Sequence, residues 1–193
     1  MKLKGPLAKL FGFSDKDFSE SSTGEVSAPF VPNLRPDRAC YGLAVPFEHQ
    51  THINLCGDAC LNMVFGYRNL SGSRTDLRKN PRGALTGLTT DDIIDRLRKV
   101  GLPPHTLTPR HAKQWTALEL AQHLFSYGPL ICKGARHFVL LVAVSSSTRL
   151  AFHDPWRGQY MPMSLDDFNT KFLDWSDPDN VIGAGIPRWS SEV

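Results

Sequence analysis

"HQTHINLCGDACLNMVFGY", residues 49–67, passes from a polar approach into a run whose apolar residues Ala59, Cys60, Met63 and Val64 share one helical face. Asn54 or Leu55 stands where that helix starts, and Gly66 stands near its end. Cys56 and Cys60 sit one turn apart, which allows a metal clip, a pair of core thiols, or a nucleophile beside a packed neighbour. Cys56 falls at the expected helix start. There the unpaired N–H groups and the positive end of the dipole favour a thiolate. Cys60 lies one turn deeper on the apolar face and reads as a core thiol. Gln50, a short way upstream, is either a surface loop residue or an amide that donates to an oxyanion, with the Cys56 backbone N–H as the second donor.

A thiol nucleophile needs a base, and the chain offers seven histidines. His49 and His52 lie on the polar approach, His105 and His111 in polar connections, and His123 among apolar neighbours in a helix. His137 differs, because it opens the most apolar strand-like run, "HFVLLVAVS" (137–145). The next such run, "RLAFHD" (149–154), ends in Asp154 across a short connection, so an antiparallel pairing brings Asp154 beside His137 as the group that orients its ring. Alternation along that strand puts His153 on the opposite face. The plainer readings are a strand-end histidine and an aspartate that starts a turn before Pro155. Zinc is disfavoured: no second Cys/His pair has finger-like spacing, and Cys40 and Cys132 stand alone.

Around this centre, "TTDDIIDRLRKVGL" (89–102) is a marked helix, with a Thr cap, acids in its first turn, bases in its last and Gly101 as the stop. "TALELAQHLFSYGP" (116–129) is another, with Thr116 and Glu119 as a capping box. Strands are expected over 130–134, 137–145, 149–154 and 159–163, then a short helix capped by Ser164 and a last strand at "VIGAGIP" (181–187). Helices followed by an antiparallel sheet predict an α+β fold with two lobes. Residues 1–38 are rich in Ser, Asp, Glu and Pro and read as a flexible N-terminal arm, a delivery or processing segment, before a domain over 39–193.

With 193 residues, 41% hydrophobic and 21% charged, the chain has material for one core. A net charge of +3 with no Lys/Arg cluster argues against nucleic acid as a partner. No apolar run is long enough for a membrane span, and the four cysteines are too few and too scattered for a disulfide framework. The first residues do not make a cleavable signal peptide, so export would use another route.

The order Gln50, Cys56, His137, Asp154 resembles that of the papain-like cysteine proteases. Within that group the chain is most similar to the bacterial avirulence-type effector proteases, and more distantly to the bacteriocin-processing double-glycine peptidases. The stretches that carry the likeness are "VPF…Q…C-x-x-AC-x-x-M" (45–63), "YGPLI" (127–131) and "FHDP-x-x-G…MSLDDFN" (152–169). Gly57-Asp58 departs from the effector pattern, which has aromatic residues after the nucleophile, and Gly57 matches the double-glycine peptidases instead. The resemblance implies a helical lobe bearing Cys56, a β lobe bearing His137 and Asp154, and an active site between them. It implies a cysteine endopeptidase with a Cys56–His137–Asp154 triad, an oxyanion hole of Gln50 and the Cys56 amide, no metal and no cofactor. It further implies a monomeric secreted effector or toxin that cleaves a protein in a target cell, with a secretion machine, chaperone or immunity protein as further partners. Deamidation, transglutamination or cell-wall amide cleavage by the same triad, and a catalytically silent binding module, are the alternatives. The 68–86 loop is the expected carrier of specificity.

Overall fold

The two helices with capping boxes form where their caps place them. Thr89 accepts from the Asp92 N–H while Asp92 accepts from the Thr89 N–H, and Thr116 and Glu119 do the same. Each box satisfies two of the N–H groups that a helix start leaves unpaired. The Cys56 helix has no such device: it begins after Leu55 with no side-chain cap bond. Its start is held by burial instead, since every residue from Cys56 to Phe65 is buried.

The computed structural model describes residues 41–77, 86–111, 113–145 and 148–185, so the arm and Cys40 lie outside it. In chain order the elements are β1 (Tyr41–Gly42), α1 (Cys56–Tyr67), α2 (Thr90–Lys99), β2 (Pro104–Thr106), α3 (Ala117–Tyr127), β3 (Leu130–Lys133), β4 (Phe138–Val144), β5 (Arg149–Asp154), β6 (Gly158–Ser164), α4 (Leu165–Asp167) running into a π turn (Phe168–Phe172), and β7 (Val181–Ala184). The seven strands make one antiparallel sheet, in the order β2-β7-β3-β4-β5-β6, with β1 paired to the far end of β4.

β4 is buried along its whole length, and both α1 and α3 pack against it. That explains its unbroken apolar sequence, where a half-exposed strand would alternate. β6, the edge strand, does alternate toward solvent and carries Pro162. α1 is the buried axis of the helical side. Asn62 donates to Glu48 Oε1 (3.0 Å) and to Thr75 O (2.7 Å) and accepts from Thr75 N–H (2.8 Å), so a polar residue inside the helix is satisfied while it ties down the 71–77 segment. At the helix end, Arg68 donates to Tyr127 O and Ala184 O, both at 2.6 Å, and so joins α1 to α3 and β7.

Two expectations are refined and a third is met. The 102–115 connection contributes a strand, β2, which pairs with β7. The helix after Ser164 is a single α turn followed by a π turn, with Phe168 buried against Phe152 at 5.5 Å between ring centroids. The helix 116–129 ends as expected at Gly128 with φ 79°, where an added Cβ would also lie 2.8 Å from the Tyr67 ring.

Candidate active site

Three element ends meet around one imidazole. Cys56 is the first residue of α1, His137 immediately precedes β4, and Asp154 is the last residue of β5. Antiparallel pairing with Leu140 opposite His153 sets the ends of β4 and β5 together. His137 Nε2 then donates to Asp154 Oδ1 at 2.8 Å. The same ring lies close enough to the Cys56 thiol for each group to favour the charged form of the other. With Nε2 on the carboxylate, the nitrogen left for sulfur is Nδ1.

The charges reinforce one another. Burial by itself pushes the Cys56 thiol up. The bond to His137, the Phe138 N–H, the charge of His137 and the Gly57 N–H outweigh it and hold the thiol below its ordinary range. Burial works against the His137 cation too, but the bonds to Asp154 and Cys56 raise it to about 9. Burial also opposes ionisation of Asp154, yet the His137 bond and the Trp156 and Arg157 N–H groups keep its carboxyl below the usual range. Trp156 N and Arg157 N donate to Asp154 Oδ1 at 2.9 and 3.2 Å. Asp154 thus starts the Asp-Pro turn and holds the His137 ring with the same oxygen.

The other sulfurs behave differently. Cys60 and Cys132 are fully buried, and burial pushes both thiols up, that of Cys60 further raised by the charge of Cys56. His153 is fully buried on the opposite face, with Nε2 3.1 Å from Val45 O and Nδ1 accepting from Tyr160 N–H at 3.3 Å. Those partners fix it as a neutral tautomer, and burial lowers its pKa. His123 stacks on Tyr127 at 6.0 Å, and His105 Nε2 meets Gly185 O at 3.0 Å. Among the described residues no His/Cys/Asp/Glu group is arranged to hold a metal ion.

Gln50 is buried and, with His137 and Asp154, lines a cleft. Its Nε2 donates to His52 O (2.9 Å) and Ile53 O (3.0 Å), and its Oε1 is buried with no hydrogen-bond partner among the described residues. Its backbone N–H donates to Pro155 O at 3.0 Å, which ties the approach loop to the turn after Asp154. In this state the amide closes the loop before Cys56, so service to an oxyanion requires an Nε2 hydrogen turned away from those carbonyls.

Gly57 and Asp58, where the family pattern is broken, have structural work. A Cβ on Gly57 would lie 3.1 Å from Leu88 Cβ, and fully buried Asp58 accepts from Arg96 Nη1 of α2 at 2.5 Å. The cleft of about 530 Å³ runs from Gln50 and His137 across the β side to Phe172. The described part of the 68–86 loop does not line it, and residues 78–85 of that loop lie outside the described residues. Sequence reasoning also missed the Phe138 N–H, which carries no side-chain signature, and Gly134. A Cβ on Gly134 would lie 2.9 Å from Phe172 O, and its N–H closes the turn onto His137 O at 2.8 Å.

A family model described as papain-like cysteine protease AvrRpt2 matches residues 40–173, a span that contains Cys56, His137 and Asp154. A solved double-glycine-motif protease from an AMS/PCAT transporter, in complex with the leader peptide, superposes with a TM-score of 0.53 at 18% identity, covering 76% of this chain and 94% of its own. The peptidase domain of Streptococcus ComA, a bifunctional ABC transporter of a quorum-sensing pathway, gives a TM-score of 0.50 at 19% identity, covering 72% of this chain and 96% of its own. Both relatives named by the resemblance are therefore present, one in the family match and one in the fold. The chain belongs to the AvrRpt2 family of papain-like cysteine proteases.

Proposed function

We propose that the protein is a cysteine endopeptidase in which Cys56 is the nucleophile, His137 the acid and base, and Asp154 the orienter. The observation that carries this reading is the His137 ring, bonded to Asp154 at 2.8 Å and placed where its charge favours the Cys56 thiolate. In the resting pair the thiolate faces an imidazolium. Sulfur attacks the peptide carbonyl, and the oxyanion forms at the start of α1, where the Cys56 N–H has no helical acceptor. His137 Nδ1 gives its proton to the leaving amine, and the acyl-enzyme remains. The same nitrogen then takes a proton from water, whose oxygen attacks the thioester and returns Cys56 as thiolate. Asp154 keeps Nδ1 turned toward sulfur throughout.

Gln50 is the second oxyanion donor in this reading, after its amide turns from the loop carbonyls. Gln50→Ala is expected to lower kcat by about 10²-fold to 10³-fold with little change in KM. A drop confined to thermal stability, with kcat intact, would make Gln50 a loop tie only.

The biological setting in this reading rests on the effector resemblance: a protein made in a bacterial cytoplasm and delivered outside it, which cuts a protein inside a target cell. The test is to compare new protein N-termini in eukaryotic and bacterial lysates treated with wild type and with Cys56→Ala. Cuts unique to wild type are expected. A +1 Da shift or a cross-link in place of cuts would move the chemistry to deamidation or transglutamination.

A further inference from the structure

The wall of the cleft beyond His137 carries a charge imbalance that the hydrolytic chemistry does not use. Arg136, Arg157 and Lys171 line it, and Asp154 is the one acid among the lining residues. That acid is already engaged by His137 and by the Trp156 and Arg157 N–H groups. Lys171 is engaged too, with Asp167 at 2.5 Å. Arg136 has no ion pair among the described residues. The Arg157 side chain is 72% exposed, and its Nε stands 3.8 Å from Asp154 Oδ2. Two guanidinium groups therefore flank the cleft with little compensation. Met161 and Met163 of β6 and Phe172, all half-buried, line the same cleft, so its floor is apolar and adaptable. A planar guanidinium fork matches a carboxylate, and a cleft lined by one sign of charge concentrates the opposite sign.

We propose that this part of the cleft is a subsite for an acidic side chain borne on an otherwise apolar stretch of the substrate, held by Arg136 and Arg157 above the Met161–Met163–Phe172 floor. The proposal deepens, and rests on, the reading of the chain as an endopeptidase. Arg136 belongs to the turn that carries His137, so the acidic residue sits next to the scissile bond or close to it.

The test uses full-length Cys56→Ala, which binds without cutting. Fluorescein-labelled decapeptides of an Ala/Leu/Gly background carry Asp, Asn or Lys at each position in turn, and binding is read by anisotropy. At one or two adjacent positions Asp is expected to bind about fivefold tighter than Asn, with Lys weaker again. The advantage shrinks at about 0.5 M salt. Adding Arg136→Glu reverses the order of Asp and Lys, while Arg157→Gln reduces the preference. Equal binding of the Asp, Asn and Lys peptides at every position, or no binding by any member, overturns the subsite. Wild type that cuts these peptides without an Asp preference sinks the subsite and leaves the peptidase. An Asp preference in binding with no cutting by wild type sinks the peptidase reading and leaves an acidic-peptide site.

Discussion

His137→Ala is expected to lower kcat/KM for any peptide substrate by roughly 10⁴-fold, the scale of losing a general acid–base whose partners act as a unit. The imidazole has two functions here, and both vanish. In the proposed mechanism it stabilises the thiolate of Cys56, and it gives the proton to the leaving amine. Once it is gone, burial pushes the thiol back up, with only the Phe138 and Gly57 N–H groups opposing it. The pH profile of the wild type follows from the same bonds. Activity requires thiolate and imidazolium together, so it rises on the acid side as the lowered Cys56 thiol ionises. It falls on the alkaline side as His137 loses its proton near pH 9. The linked stability has matching signs. The raised His137 contributes most below the ordinary histidine range, a contribution lost as pH rises through about 9. The lowered Asp154 contributes above the ordinary carboxylate range, and that part is lost as pH falls. A residual activity in His137→Ala within tenfold of wild type would remove this histidine from the chemistry.

Arg96→Ala should destabilise the fold by about 3 kcal/mol, the low end for breaking a buried ion pair, because Arg96 itself is one-third exposed. For a domain of this size that is a fall of about 10 °C in Tm. Asp58 is fully buried two residues after the nucleophile, and Arg96 comes from α2, so the pair fixes the first turn of α1 against its neighbour. Activity should fall along with stability, since the Cys56 N–H and thiol are aimed by that turn. Arg96→Lys is expected to recover part of the loss, and Asp58→Asn with Arg96→Gln to recover more, by removing the stranded charge. A Tm shift below about 2 °C for Arg96→Ala would mean that the pair contributes as a surface bridge does.

Much of the site was legible because strand ends and helix ends are written locally. Cys56 at a helix start, His137 opening an apolar run and Asp154 before a proline each carry their own sign, and one hairpin joins the last two. The capping boxes at Thr89 and Thr116 were legible for the same reason. What escaped depended on distant partners. β7 enters between β2 and β3 through pairings that no local pattern encodes, and β2 is too short and half-exposed to stand out. Gly57 and Asp58 looked like departures from a pattern because Leu88 and Arg96, their reasons for being there, lie on another segment. Gln50 was legible as a residue of the site, while its bonds to His52 O and Ile53 O were not. The arginines of the cleft were invisible as a group, because Arg136 and Arg157 come from different turns.

The most direct measurement is the pH dependence of alkylation of Cys56 by iodoacetamide in the folded wild type, with each cysteine followed by peptide mass. The expected result is labelling at Cys56 far ahead of Cys60 and Cys132, with a midpoint clearly below that of an ordinary thiol. Labelling of Cys56 with an ordinary midpoint, or no faster than the two core thiols, would contradict a thiolate held by His137 and Asp154.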